Sequence, residues 1–223
     1  MVPEEEPKVV GETRSARILH LASGNRHKAE EFQRLADVSR LPWKVCPAAP
    51  MPEVVEDTGT FVGNARKKAL ALRAQLAPGS WVLADDSGVC VDALGGAPGV
   101  ESAYFAGPGH DATANLNKLT EVMRSVPAGQ RAARFVCVLV LLTPDGSEHV
   151  FEGRCEGVLA VEPVGGKGFG YDPLFIPTGF DRTYAQLTEE EKNRISHRGR
   201  AWLNLVQAMA AVFPGRETGR DRA

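Results

Sequence analysis

No stretch of this chain is apolar over the ~20 residues that a membrane-spanning helix needs. Cysteine is scarce: Cys46, Cys90, Cys137 and Cys155 lie far apart, without a C-x-x-C pair, and none of the 5 histidines has metal-ligand spacing to another. That pattern favours buried free thiols in a reducing cytoplasm over zinc or disulfides. Excess charge of either sign is missing as well. Lys and Arg total 26 against 28 Asp and Glu, a net charge of -2 at pH 7, so neither nucleic acid nor a membrane surface is expected as a partner. A phosphate site here must be a local cluster of basic side chains and backbone N–H groups. The G-x-x-x-x-G-K-[ST] loop and the G-x-S-x-G elbow are absent too, which removes a P-loop and an elbow serine nucleophile.

What is present is an ordinary globular composition, 43% hydrophobic and 24% charged over 223 residues. That is enough to bury one full core, or to form two lobes around a cleft. The opening MVPEEEPKVVGE is acidic and has no apolar h-region, so 1–15 reads as a disordered extension rather than a signal peptide. The residues 214–223 read as a disordered tail, leaving one domain over 16–213. Arg17 to Ala22 reads as a first strand and Arg26 to Asp37 as a helix, with Ala29, Phe32, Leu35 and Ala36 on one face. A second helix starts behind Thr60 as N-cap, buries Phe61, Ala65, Ala69, Leu72 and Leu76, and carries Asn64 and Lys68 on a neighbouring stripe. A third helix is expected from Asp111 to Val126, then a hairpin of strands Ala133 to Leu142 and His149 to Val161 around TPDGSE. A continuous last helix is expected from Glu189 to Phe213, with Ile195, Trp202, Leu205, Val206 and Met209 buried. The fold class is α/β, with a mixed sheet because the hairpin is antiparallel.

Five segments carry candidate chemistry. Trp81 to Ala84 reads as a strand that ends in Asp85 and Asp86, followed by Ser87 and Gly88. Carboxylates beside small residues suit a divalent cation held against a phosphate chain; the same four residues also suit a plain turn. In an extended strand Asp85 and Asp86 point to opposite faces, so one of them with Glu56, from VVEDTGTF, is the more plausible metal pair. The turn Ser23, Gly24, Asn25, Arg26, His27, Lys28 places free N–H groups and a lysine at a helix N-terminus, where phosphate binds. GFGYDP offers Phe169 or Tyr171 as a stacking surface, next to Gly170, with Asp172 as an acceptor. EKNRISHRG places Lys192, Arg194, His197 and Arg198 within a turn and a half, and His197 and Arg198 both offer donors to an oxyanion or a keto oxygen.

In this order SGNRHKAEEF, EDTGTFVGNARKKA, ADDSGVCVDALGGAPGVESAYFAG, GFGYDP and EKNRISHRG resemble the noncanonical purine nucleoside triphosphate pyrophosphatases, which act on inosine and xanthosine triphosphates. The resemblance runs from Arg17 to Phe213. It implies an elongated α/β fold of two lobes with a central mixed sheet flanked by helices, an active-site cleft between the lobes, and a homodimer. It implies Mg²⁺-dependent hydrolysis of ITP, dITP or XTP to the monophosphate and pyrophosphate. Residue by residue, Ser23 to Lys28 would bind the triphosphate and Asp86 would be general base and metal ligand, its carboxyl kept ionised by the cation. Ser87 would touch the substrate, and Phe169 to Asp172, Lys192, His197 and Arg198 would form the nucleotide pocket. Gly63 stands where the family commonly carries Glu. A pyrophosphatase for modified pyrimidine triphosphates and a nucleotide-binding module without catalysis remain the alternatives.

Overall fold

The computed structural model describes residues 17–210; the expected extension over 1–15 and tail over 214–223 lie outside the described residues. In chain order the elements are β1 (Arg17–Leu21), α1 (Arg26–Val38), β2 (Trp43–Pro47), α2 (Phe61–Arg73), β3 (Trp81–Val91) and α3 (Ala112–Val122). There follow β4 (Ala132–Leu142), β5 (Glu148–Leu159), β6 (Phe175–Pro177), α4 (Glu189–Ile195) and α5 (His197–Met209). The 6 strands form one sheet in the order β2-β1-β3-β4-β5-β6. β1 is parallel to β2 and β3, and the remaining pairs are antiparallel, so the sheet is mixed as expected.

Strand alternation sorts the core. Leu83, Leu139 and Leu141 face α1 and α5, where they pack with Phe32, Trp43, Trp202 and Leu205. Val82, Ala84, Val140 and Leu142 face the opposite way onto Ala65, Ala69 and Leu72 of α2. A further core lies along the other halves of the same long strands, joining Val89, Val91, Ala133, Phe135 and Cys155 to Leu119, Met123, Phe175 and Tyr184. β3 and β4 therefore run through two apolar bodies, and Asp85 to Gly88 lie on the stretch between them.

Three expectations change. Asp85 and Asp86 do not end a strand: β3 continues to Val91, because β4 pairs with it along its length, Asp85 opposite Leu139 and Asp86 opposite Val138. It is the parallel β1 partner that stops, at the Leu21–Leu83 pair. The last helix is two helices. Ser196 has an extended backbone (φ -67°, ψ 158°) and its hydroxyl caps α5 by accepting from the Gly199 N–H, while Thr188 and Glu191 form a capping box on α4. α3 ends at Val122 rather than Val126, and the chain leaves it through the cap at Met123. The short strands β2 and β6 went unread in the sequence.

Two contacts fix the site's framework. Gly153 of β5 lies so close to α5 that a Cβ there would stand 2.2 Å from the His197 carbonyl oxygen and 2.3 Å from the Ala201 nitrogen. Only glycine lets α5 lie this low on the sheet. Arg131 is 2% exposed and, among the described residues, pairs with no carboxylate; its guanidinium donates to the carbonyls of Leu159 (2.9 Å), Met123 (2.7 Å), Val126 (3.2 Å) and Ala160 (2.6 Å). It thus ties the C-terminal end of α3 to the end of β5. Arg131→Met leaves those carbonyls without a donor and is expected to lower unfolding free energy by about 3 kcal/mol or more in urea denaturation. A loss under about 1 kcal/mol would show that the guanidinium is dispensable to the far core.

Candidate active site

At the end of β1 the Ala22 N–H donates to the Leu83 carbonyl (2.7 Å), and the chain turns through Ser23 and Gly24 into α1. The Ser23 hydroxyl accepts from the Asn25 N–H (3.1 Å), and Asn25 Oδ1 accepts from the Lys28 N–H (3.2 Å) as the N-cap. The first-turn N–H groups of Arg26 and His27 have no helical partner, which suits an anion. The Arg26 side chain goes elsewhere: it is exposed and pairs with Glu30 at 3.0 Å. His27 stacks on Phe169, with ring centroids 5.7 Å apart and planes within 16°.

β3 splits its two carboxylates as the alternation requires. Asp85, on the α1/α5 side, is 1% exposed and lies 2.9 Å from Lys28 Nζ and 3.6 Å from Arg198 Nε. Burial alone would raise its pKa, but Lys28 and Arg198 overcome that and hold the carboxyl well below the usual carboxylate range. Asp86, on the α2 side, meets Lys68 Nζ at 3.0 Å and Asn64 Nδ2 at 3.3 Å. The same Lys68 ammonium is 2.9 Å from Glu56. Burial pushes the Asp86 carboxyl up to about 6, against the pull of Lys68 and with a further push from Glu56. A lowered pKa was expected for Asp86 next to a cation; of the two carboxylates it is Asp85 that is held low. Lys68 stays charged, because its three acidic neighbours outweigh its burial.

Among the described residues no group of three or more His, Cys, Asp and Glu side chains is arranged to hold a metal ion. The chain does offer two carboxylates, of Glu56 and Asp86, gathered on a single ammonium whose one charge they outnumber. A two-carboxylate set fits Mg²⁺, which keeps waters and takes the rest of its shell from phosphate oxygens, and does not fit a closed zinc or calcium cage.

Beyond Asp85 the buried charges continue. Arg198 donates to Glu31 (2.9 Å) and Ser87 (2.8 Å), and Lys192 reaches Glu31 (3.1 Å) and Asp172 (2.7 Å). Asp172 also accepts from the Phe169 N–H at 2.9 Å, and burial raises its pKa against the pull of Lys192. Tyr171 is buried, and its hydroxyl donates to the Ser102 carbonyl at 2.7 Å. That leaves Phe169 as the half-exposed ring of the pair, with Lys192 and Arg198 lying 5.3 Å and 5.2 Å from its centroid. A cavity of about 200 Å³ is bounded by Asn25, Lys28, Ser87, Phe169, Gly170, Tyr171, Asp172, His197 and Arg198, with Ser102, His110 and Asn115 on its far side. His197 Nδ1 and Arg198 Nε are buried polar atoms without a hydrogen-bond partner, and both residues line this cavity. Of the expected substrate-binding residues, Ser23, Gly24, Arg26, His27 and Lys192 lie off its wall, and His27 and Lys192 line a second hollow beside Phe169.

Sequence reasoning missed Glu31, the acid that holds both Lys192 and Arg198. Its signal is position: three residues after Lys28 and four before Leu35, it is an acid on the buried face of α1. Asn64 and Lys68 were read as a helical stripe without a role, and both reach Asp86.

The model of the Ham1 family matches residues 19–208. A dITP/XTP pyrophosphatase of Opitutus terrae is 61% identical over 198 residues, covering 85% of this chain and 97% of that protein. One from Desulforamulus reducens is 45% identical over 87% of this chain and 96% of its own length. Among solved structures, a HAM1 protein from Coxiella burnetii superposes with a TM-score of 0.75 at 36% identity, covering 87% of this chain and 99% of that one.

His197 carries a pH signature. It is fully buried and stacked on Phe135 at 4.7 Å; burial, then Arg198 and Lys192, drive its pKa well below 6.5, while Asp85 opposes them weakly. The unfolded chain therefore binds a proton below about 6.5 that the folded chain refuses, so stability falls as pH drops through that value and is unaffected above it. His197→Phe keeps the ring stack and removes the proton site. The stability of the variant relative to wild type is expected to rise by about 1.4 kcal/mol per pH unit below 6.5, read from urea curves at pH 5 to 7.5. A difference that does not vary with pH would contradict the buried neutral imidazole.

Proposed function

This chain belongs to the Ham1 family, and we propose on that premise that it hydrolyses noncanonical purine nucleoside triphosphates (ITP, dITP, XTP) to the monophosphate and pyrophosphate. The observation that carries the reading is the division of charge across β3. Asp86 and Glu56 meet on one face, and on the other Asp85 holds Lys28 and Arg198.

The residues divide the task accordingly. The α1 N-terminus, with Ser23 to Asn25 and Lys28, receives the phosphate chain, where N–H groups and an ammonium stabilise charge on departing pyrophosphate. Asp86 takes the proton from the attacking water and is the catalytic residue of this reading. Asp86 and Glu56 would hold a divalent metal, assigned as Mg²⁺, which acidifies water and neutralises phosphate charge when bound. Ser87, oriented by Arg198, lies where β3 meets the cavity. The base lies against Phe169, with Arg198 and the neutral His197 turned to its 6-keto edge. Adenine places an amine there, leaving those donors unpaired; sites of that kind reject the wrong partner by roughly 10⁴-fold. The chain acts as a homodimer in the cytoplasm, where its 4 free thiols stay reduced.

The test is pyrophosphate release from inosine, xanthosine, adenosine, guanosine and thymidine triphosphates in parallel, with Mg²⁺ and after chelation. Release is expected from the first two and is lost on chelation. Asp86→Asn is expected to lower kcat by about 10³-fold while nucleotide affinity stays within roughly tenfold. Preference for the thymidine nucleotide would redirect the reading to pyrimidines. Tight binding with no release from any would make the chain a binding module.

A further inference from the structure

The catalytic carboxylate is held by a relay that begins on an exposed loop. We propose that Thr58 is a positioning residue for Asp86, acting through the amide of Asn64, and that Gly63 is glycine because Thr58 occupies the space a side chain would need. The proposal deepens the pyrophosphatase reading of the same site.

Asn64 is 1% exposed, and every polar atom of its side chain is engaged. Its Oδ1 accepts from the Thr58 hydroxyl (2.7 Å) and from the Thr58 backbone N–H (3.2 Å), and its Nδ2 donates to Asp86 Oδ2 (3.3 Å). A backbone N–H can only donate and an ionised carboxylate can only accept, so Thr58 decides which end of the amide faces Asp86. The other carboxylate oxygen, Oδ1, accepts from Lys68 at 3.0 Å. Asn64 and Lys68 are one turn apart on α2, so the helix grips Asp86 by both oxygens. Each grip is tied to a residue outside the helix, Lys68 to Glu56 at 2.9 Å and Asn64 to Thr58 at 2.7 Å.

The glycine supplies the second line. A Cβ built on Gly63 would stand 2.3 Å from Thr58 Oγ1 and 2.7 Å from Thr58 Cβ, as well as 2.8 Å from the capping oxygen of Thr60. Gly63 is in the first turn of α2 with a negative φ, where alanine would ordinarily favour the helix. Its cost to the helix is offset by room for the Thr58 side chain. Positions 58 and 63 therefore act as one unit, the first supplying the hydroxyl and the second the space for it.

The test is a double-mutant cycle read by kinetics and melting. Thr58→Val, which removes only the hydroxyl, is expected to lower kcat about tenfold with KM within about threefold, as loss of an orienting partner does. Thr58→Ser is expected to recover most of that loss. Gly63→Ala is expected to lower Tm in the wild-type background and to lower it clearly less in Thr58→Gly, where only the approach to the Thr60 oxygen remains, a non-additivity that contact between the two positions produces. Full kcat in Thr58→Val, or equal loss in Thr58→Val and Thr58→Ser, would overturn the positioning role. Additive Tm changes would overturn the coupling. A wild type without turnover would instead refute the assigned reaction. The relay is then read from the Asn64 side-chain amide protons in NMR spectra, expected to be slow to exchange in wild type and fast in Thr58→Val. Equal exchange in both would refute the relay.

Discussion

The rest of the site depends on one carboxylate taken fully out of water. Asp85 is tolerable inside the protein because Lys28 and Arg198 come to it from opposite ends of the sequence, one from α1 and one from α5. A buried charge that must be neutralised sets distances more strictly than apolar packing does. By drawing in those two side chains, Asp85 fixes where the α1 N-terminus and the first turn of α5 lie relative to β3. Glu31 extends the logic by one step, balancing Arg198 and Lys192, while Asp172 takes a second bond of Lys192.

The strand then keeps two chemistries apart. Adjacent residues on β3 face opposite ways, so Asp85 meets Lys28 and Arg198 on one side while Asp86 meets Lys68 and Asn64 on the other. The separation shows in their acidity: Asp85, with two cations, is held low, and Asp86, with one cation shared with Glu56, rises to about 6.

Much of this was legible in the sequence, for reasons that differ by element. The faces of α1 and α2 could be read because their buried residues follow one helical period against one core. The opposite orientations of Asp85 and Asp86 followed from strand geometry alone. The break at Ser196 was hidden because apolar spacing continues across it, yet Ile195 packs in the far core and Trp202 in the near one. One apparent stripe thus serves two bodies, which requires a bend. Glu31 was passed over because an acid on a helix usually meets solvent; its partners, Lys192 and Arg198, are more than 160 residues away and no local pattern reports them. The reach of β3 past Asp86 was unreadable for the same reason, since β4 supplies its pairing.

Arg131 has a consequence for how the molecule opens. The four carbonyls it serves belong to Met123, Val126, Leu159 and Ala160, so one guanidinium is satisfied only while α3 and the end of β5 are both in place. Lifting either element strands a buried positive charge. One guanidinium thus makes the opening of α3 and that of the end of β5 a single cooperative event rather than two separate ones.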